Sequence, residues 1–143
     1  MHLVYNRGMK KEPLKLLKDA KLKVTKVRLE ILGLFSDFCT PLCAEDIFKK
    51  TKLDLVTIYR TLTSFERNDI LKKVNLQKKS VYYELTRHHH HHIICTDCGS
   101  VEEFAICEIN KISKEALKRS AKFDAIKEHS LELFGICKSC TKI

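Results

Sequence analysis

The chain has 143 residues, of which 44% are hydrophobic and 31% charged; no apolar run approaches the roughly 20 residues of a membrane-spanning helix. Its net charge of +9 is one-sided: residues 1–80 hold 18 Lys and Arg against 9 Asp and Glu, and residues 81–143 hold 9 against 9. The first half therefore points to a polyanionic partner, a nucleic acid or an acidic membrane, and the second half does not.

In chain order, the opening MHLVYNRGMKKEP lacks the apolar core and small-residue cleavage site of a secretory signal, so a cytoplasmic chain is expected. Residues 9–20 read as a first helix with Pro13 near its start. Thr25 is placed to cap a second helix, in which Val27, Ile31, Leu34, Phe35 and Phe38 recur at helical spacing. Cys39-Thr-Pro-Leu-Cys43 breaks that helix. AEDIFKKT follows as a short third helix with Ile47 and Phe48 turned inward. A fourth helix over 55–68 puts Leu55, Ile58, Leu62 and Phe65 on one side and Thr57, Tyr59, Arg60, Thr61 and Ser64 on the other. The runs Leu71 to Leu76 and Ser80 to Leu85 form a hairpin around a basic turn at Lys78 and Lys79. Short helices, the last with a polar and cationic outer face, followed by a basic hairpin define a winged helix-turn-helix. In that module the exposed helix enters the major groove and the hairpin touches phosphates.

Composition changes beyond Thr86, and the domain boundary is set between residues 84 and 85. Five histidines, His88 to His92, precede Ile93, Ile94 and Cys95-Thr-Asp-Cys98-Gly99. Val101 to Ile106 reads as a strand, 109–123 as a helix with Ile109, Ile112, Ala116 and Leu117 on one face, and Ser130 to Ile136 as a final strand. The expected fold is α+β, a winged-helix domain over 1–84 followed by a small α/β dimerisation domain over 85–143.

Seven cysteines are an odd number, and two Cys-x-x-Cys pairs in a chain expected to be cytosolic point to zinc before disulfides. Cys95, Cys98, Cys137 and Cys140 together supply a tetrahedral four-thiolate site. Neither pair has the strand-to-helix surroundings of a redox motif. The histidine run is internal and runs directly into a cysteine pair, unlike a purification tag. On a strand, His90 and His92 share one face while His89 and His91 share the other. Each pair can then serve a different metal with Glu84, Glu102, Glu103, Glu108 or His129.

LKVTKVRLEIL at 22–32, AEDIF at 44–48, DLVTIYRTL at 54–62, the histidine run with IICTDCG, EEF at 102–104 and HSLELFGIC at 129–137 resemble, in order and spacing, the ferric uptake regulator (Fur) family. The resemblance covers residues 12 to 140. It implies that Thr57, Tyr59 and Arg60 are recognition-helix positions and that Lys23 is a minor-groove position. It makes Cys95, Cys98, Cys137 and Cys140 the structural zinc ligands. Glu84, His90, His92 and Glu103 become the sensor site, and His89, His91, His129 and Glu108 an additional site. One departure stands out: Pro41 occupies the place of a loop histidine that commonly serves the sensor site, which leaves Cys39 or Cys43 as candidate substitutes. Glu84 and Glu103 stand where the peroxide-sensing branch tends to carry aspartates, which weighs against that branch.

The expected protein is a homodimeric repressor that binds an inverted-repeat, double-stranded DNA operator when its sensor is metallated. Structural Zn2+ and regulatory Fe2+, Zn2+ or Mn2+ are its ions, and it has no membrane or small-molecule substrate. A zinc-sensing or peroxide-sensing branch of the same family, and a zinc-storage or metal-delivery protein, are the alternatives. A zinc enzyme is disfavoured: the His-x-Glu and Pro-Cys-x-x-Cys arrangement of a deaminase is absent, and four thiolates leave no open position for water.

Overall fold

A computed structural model describes residues 11–37, 40–86 and 90–142, so Phe38, Cys39, His88 and His89 lie outside the described residues. The chain divides into two compact units, Met1–Arg87 and His88–Ile143.

The first unit runs α1 (Lys11–Asp19), α2 (Lys26–Asp37), β1 (Leu42–Cys43), α3 (Ala44–Lys50), α4 (Leu55–Arg67), β2 (Leu71–Val74) and β3 (Tyr82–Leu85). Helix α1 ends where Lys21 adopts a left-handed φ of 56°, and the Leu22 N–H then bonds back to the Leu17 carbonyl, a left-handed C-cap on a non-glycine residue. Helix α2 begins at Thr25, whose Oγ1 accepts the Arg28 N–H at 3.3 Å. Helix α4 is capped by Asp54, with Thr57 N–H to Asp54 Oδ1 at 2.9 Å.

Leu17, Ile31, Leu32, Ile47, Ile58, Leu62 and Phe65 have no accessible surface and form the centre of one apolar cluster. The predicted stripe of α4 is borne out at Ile58, Leu62 and Phe65, whereas Leu55 in its first turn is partly exposed. Two other expectations are corrected. Phe48 is 48% exposed, because Ala44 and Ile47 make up the inward face of a helix of only seven residues. Thr61 is buried, with its hydroxyl returned to the Thr57 carbonyl at 2.8 Å, so a polar side chain is tolerated on the boundary of the apolar face.

β1, β3 and β2 form a three-stranded sheet in that order. Its hairpin is shorter than expected at both strands, and Gln77 takes a φ of 54° in the connection, where its N–H donates to Asn75 Oδ1. Strand β1 comes from the segment expected only to break α2. It adds Leu42 opposite Tyr83 and makes the hairpin a covered wing.

The second unit contains β4 (His91–Cys95), β5 (Val101–Phe104), α5 (Ile109–Arg119), β6 (Glu132–Gly135) and α6 (Lys138–Thr141). β4 is central: it pairs antiparallel with β5 and parallel with β6. A parallel partner requires a crossover, and the segment carrying α5 provides it. Helix α5 ends at Arg119 rather than 123 and buries none of its residues. Ile106, Ile112, Phe123, Leu133 and Ile136 are likewise exposed. So much apolar surface on so small a unit is the mark of an interface. Among the described residues, no helix is long and apolar enough to cross a membrane.

Candidate metal centres and nucleic-acid interface

The four paired cysteines converge. Cys95 closes β4, and its carbonyl accepts the Gly99 N–H at 2.9 Å. That turn requires the φ of 74° that Gly99 adopts, a conformation open to glycine at little cost. Cys137 precedes α6 and Cys140 lies within it, a short helix with no counterpart among the expected elements. Cys95 Sγ lies 3.9 Å from Cys140 Sγ, and Cys98 Sγ lies 3.7 Å from Cys137 Sγ. For a tetrahedral zinc with sulfur at 2.3 Å, the sulfur–sulfur edge is about 3.8 Å. The donor set and its spacing therefore fit the ion.

The thiols are already divided electrostatically. The Cys98 and Cys137 backbone N–H groups point at Cys95 and lower it to about 6. The Ser100 hydroxyl and N–H lower Cys98. Cys140 is pushed up to about 12, first by the hydrogen bonding of its thiol to the Cys137 and Cys98 sulfurs. Four thiolates so close together cannot all ionise without a cation, and a divalent ion removes that obstacle.

The histidine strand sorts its side chains by face. His92 pairs with Glu103 across β4 and β5, and His91 with Phe104. On the first face, the His90 and His92 rings stand edge to face at 5.0 Å, and His90 Nε2 is 3.8 Å from Glu103 Oε1. Two imidazoles and a carboxylate converging in this way offer an N,N,O donor set. On the second face, His91 is buried, its ring 5.4 Å from that of His129. The third group here is Cys107, not Glu108: Cys107 Sγ lies 3.6 Å from His129 Nε2, and ligand atoms of His91, Cys107 and His129 all fall within 4.8 Å of one another. Glu108 is exposed and stands at the N-terminus of α5. Cys107 has no Cys-x-x-Cys partner and so escapes a search by motif. Its one signal in the sequence is that it adjoins an expected ligand.

In the first unit, Glu84 is buried on β3 and pairs with Lys72 on β2, Nζ to Oε1 at 3.1 Å. Pro41 is buried just before β1. Cys43, one of the two candidate substitutes for the loop histidine, is buried at the start of α3 with its thiol on Asp46 Oδ2 at 3.1 Å.

The exposed side of α4 carries Tyr59 and Arg60, with Thr57 half-buried at its start. A groove lined by Tyr59, Arg60, Thr63, Ser64, Arg67 and Asn68 runs along it. Tyr59 Oη reaches Glu45 Oε1 on α3 at 3.3 Å. Glu45 is also held below the usual carboxylate range, by its own backbone N–H and then by the Cys43 thiol. Lys78 and Lys79 are exposed at the hairpin turn, Lys78 lying over the Tyr82 ring, and Lys23 is exposed between α1 and α2.

A helix-turn-helix with a covered wing, coupled in one chain to a four-thiolate centre and a histidine strand, defines a metal-responsive DNA-binding transcriptional regulator, a non-catalytic class. A profile of the ferric uptake regulator family matches residues 19–134. The ferric uptake regulation protein of Neisseria gonorrhoeae is 37% identical over 131 residues, which span 87% of this chain and 90% of the relative. The structure of the Francisella tularensis ferric uptake regulator with iron superposes with a TM-score of 0.72 at 34% identity, covering 85% of this chain and 96% of that one. The Helicobacter pylori regulator, described as having three functional metal binding sites, gives 0.73 at 28% identity, covering 100% and 99%. This chain belongs to the ferric uptake regulator family. Its partners are operator DNA and a second copy of itself.

Proposed function

We propose that the chain represses metal-homeostasis genes by binding an inverted-repeat operator when its sensor is metallated. The single observation that carries this reading is the convergence of His90, His92 and Glu103 on one face of the histidine strand. Glu84, six residues before His90 in the chain, is assigned to the same metal by family resemblance. A metal held from both domains, 1–84 and 85–143, favours the DNA-competent geometry by its differential affinity for it. Cys95, Cys98, Cys137 and Cys140 hold a structural Zn2+. The regulatory ion is Fe2+, Zn2+ or Mn2+, all of which suit imidazole and carboxylate donors; the Francisella relative was solved with iron.

Arg60, Tyr59 and Thr57 read the operator from the major groove, Lys78 and Lys79 contact phosphates from the wing, and Lys23 reaches the minor groove. A metal reservoir would need neither α4 nor the basic excess of the first half. The test is a gel shift on operator DNA with and without free metal. Metal-dependent retardation supports the repressor, whereas metal binding with no DNA binding supports storage.

A further inference from the structure

We propose that His91, Cys107 and His129 form a separate sulfur-bearing metal site that takes Zn2+ in preference to Fe2+ or Mn2+. Its location follows the additional site expected from the family resemblance. What the structure adds is a thiolate in place of the expected carboxylate, and that changes which ion the site selects.

The geometry is that of a coordination shell. For a tetrahedral zinc with nitrogen at 2.0–2.1 Å and sulfur at 2.3 Å, the nitrogen–sulfur edge is about 3.6 Å, and Cys107 Sγ lies 3.6 Å from His129 Nε2. His91 is 4% exposed and its ring faces that of His129. It stands on the face of β4 opposite His92, so this cluster shares no ligand with the His90, His92 and Glu103 group. The three residues come from β4, from the loop before α5 and from the loop before β6. One ion therefore ties both ends of the crossover to the central strand. Such a tie has structural value here, because α5 buries none of its own residues.

Two imidazoles and a thiolate suit zinc, which stands above Fe2+ and Mn2+ in the general affinity order of such sites, whereas Mn2+ favours carboxylate, carbonyl and water oxygens. On binding, the Cys107 S–H bond is exchanged for an S–Zn bond and the proton is released to solvent. The inference goes beyond the sensor reading and holds whether or not His90 governs DNA binding.

The test uses the full chain carrying zinc in its four-cysteine site, checked by native mass spectrometry, with Co2+ added as the optical probe. Among the proposed centres still open to the ion, only the one containing Cys107 has sulfur, so a near-ultraviolet thiolate-to-cobalt charge-transfer band is expected. The band should vanish in Cys107→Ser and in His129→Gln and persist in His90→Ala. It should be bleached by about one equivalent of Zn2+ and survive about a tenfold excess of Mn2+. Absence of the band from the wild type, or its persistence in Cys107→Ser, overturns the proposal and leaves Cys107 as a plain hydrogen-bond partner of His129. Bleaching by Mn2+ overturns the zinc preference. If Cys107→Ser does not fold, the wild-type band and its loss in His129→Gln decide the matter. Failure of His90→Ala to change DNA binding bears on the sensor and not on this site.

Discussion

The Cys43 thiol donates to the Asp46 carboxylate across the first turn of α3 at 3.1 Å, and the Cys43 backbone N–H reaches the same oxygen at 3.0 Å. Burial first, and then Asp46, raise the pKa of the thiol. Cys43 thus serves as a protonated cap on a helix start. Cys43→Ser is expected to leave metal-dependent operator binding unchanged, because serine caps equally well. Asp46→Ala should cost about 1 kcal/mol of unfolding free energy in urea melts, the usual worth of a lost cap. Loss of the metal response in Cys43→Ser would instead make this thiol the replacement for the loop histidine.

Helix α4 has a pH-sensitive start. The Thr57 N–H and hydroxyl both donate to Asp54, at 2.9 and 2.7 Å, and hold its carboxyl below the ordinary value of 3.8. A carboxylate whose folded pKa is depressed contributes stability that is present above the unfolded value and lost as the pH falls through the folded one. Asp54→Asn keeps a good capping side chain and removes only the charge. Its melting point should lie below the wild type at neutral pH, and the gap should begin to shrink near pH 3.8 and close once the pH falls below the folded value. All four tyrosines lie within the first 87 residues and there is no tryptophan, so tyrosine fluorescence reports this unit alone. A gap of constant size down to the lowest pH would show that the charge plays no part.

Cys98→Ser or Cys137→Ser should release the structural zinc and unfold the second unit, taking dimerisation with it. Structural zinc contributes on the order of 10–16 kcal/mol of apparent free energy at neutral pH, more than a domain of this size has in reserve. Zinc content and sedimentation velocity check this together. A zinc-free variant that sediments as a dimer contradicts the assignment.

The parts of this architecture legible in the sequence are those with a period or a spacing. The stripe of Ile58, Leu62 and Phe65 specifies α4, and two Cys-x-x-Cys pairs specify a four-thiolate centre. Strict alternation separates His90 and His92 from His91. What stays hidden has neither property. β1 has two residues, too few for any period, and is a strand only because β3 offers it an edge. Helix α6 is a single turn over Lys138–Thr141. Ile112 and Ala116 make α5 amphipathic, yet periodicity reports a face and not what covers it, and in one copy of the chain that face stays open. Cys107 joins His129 through the folding of two loops, which no local pattern encodes.

For DNA recognition, Arg60→Ala should weaken operator binding strongly, because the guanidinium stands exposed on the outer side of α4. Lys78→Ala and Lys79→Ala should lower affinity for all sequences alike and flatten the log–log salt dependence by about one unit for each phosphate no longer neutralised. Fluorescence anisotropy over a salt series, on operator and on unrelated DNA, separates the two behaviours. Unchanged operator affinity in Arg60→Ala would mean that another face of the unit reads the bases.

The most direct test of metal control is operator binding titrated against free metal in the wild type and in His90→Ala, with zinc content and oligomeric state followed in the same samples. His90 stands beside His92 and Glu103 on a face of β4 that the four cysteines do not use. Its removal should therefore abolish the metal-dependent rise in DNA affinity while the cysteine-bound zinc and the dimer persist. A His90→Ala protein that still binds the operator with the wild-type metal dependence would contradict the account.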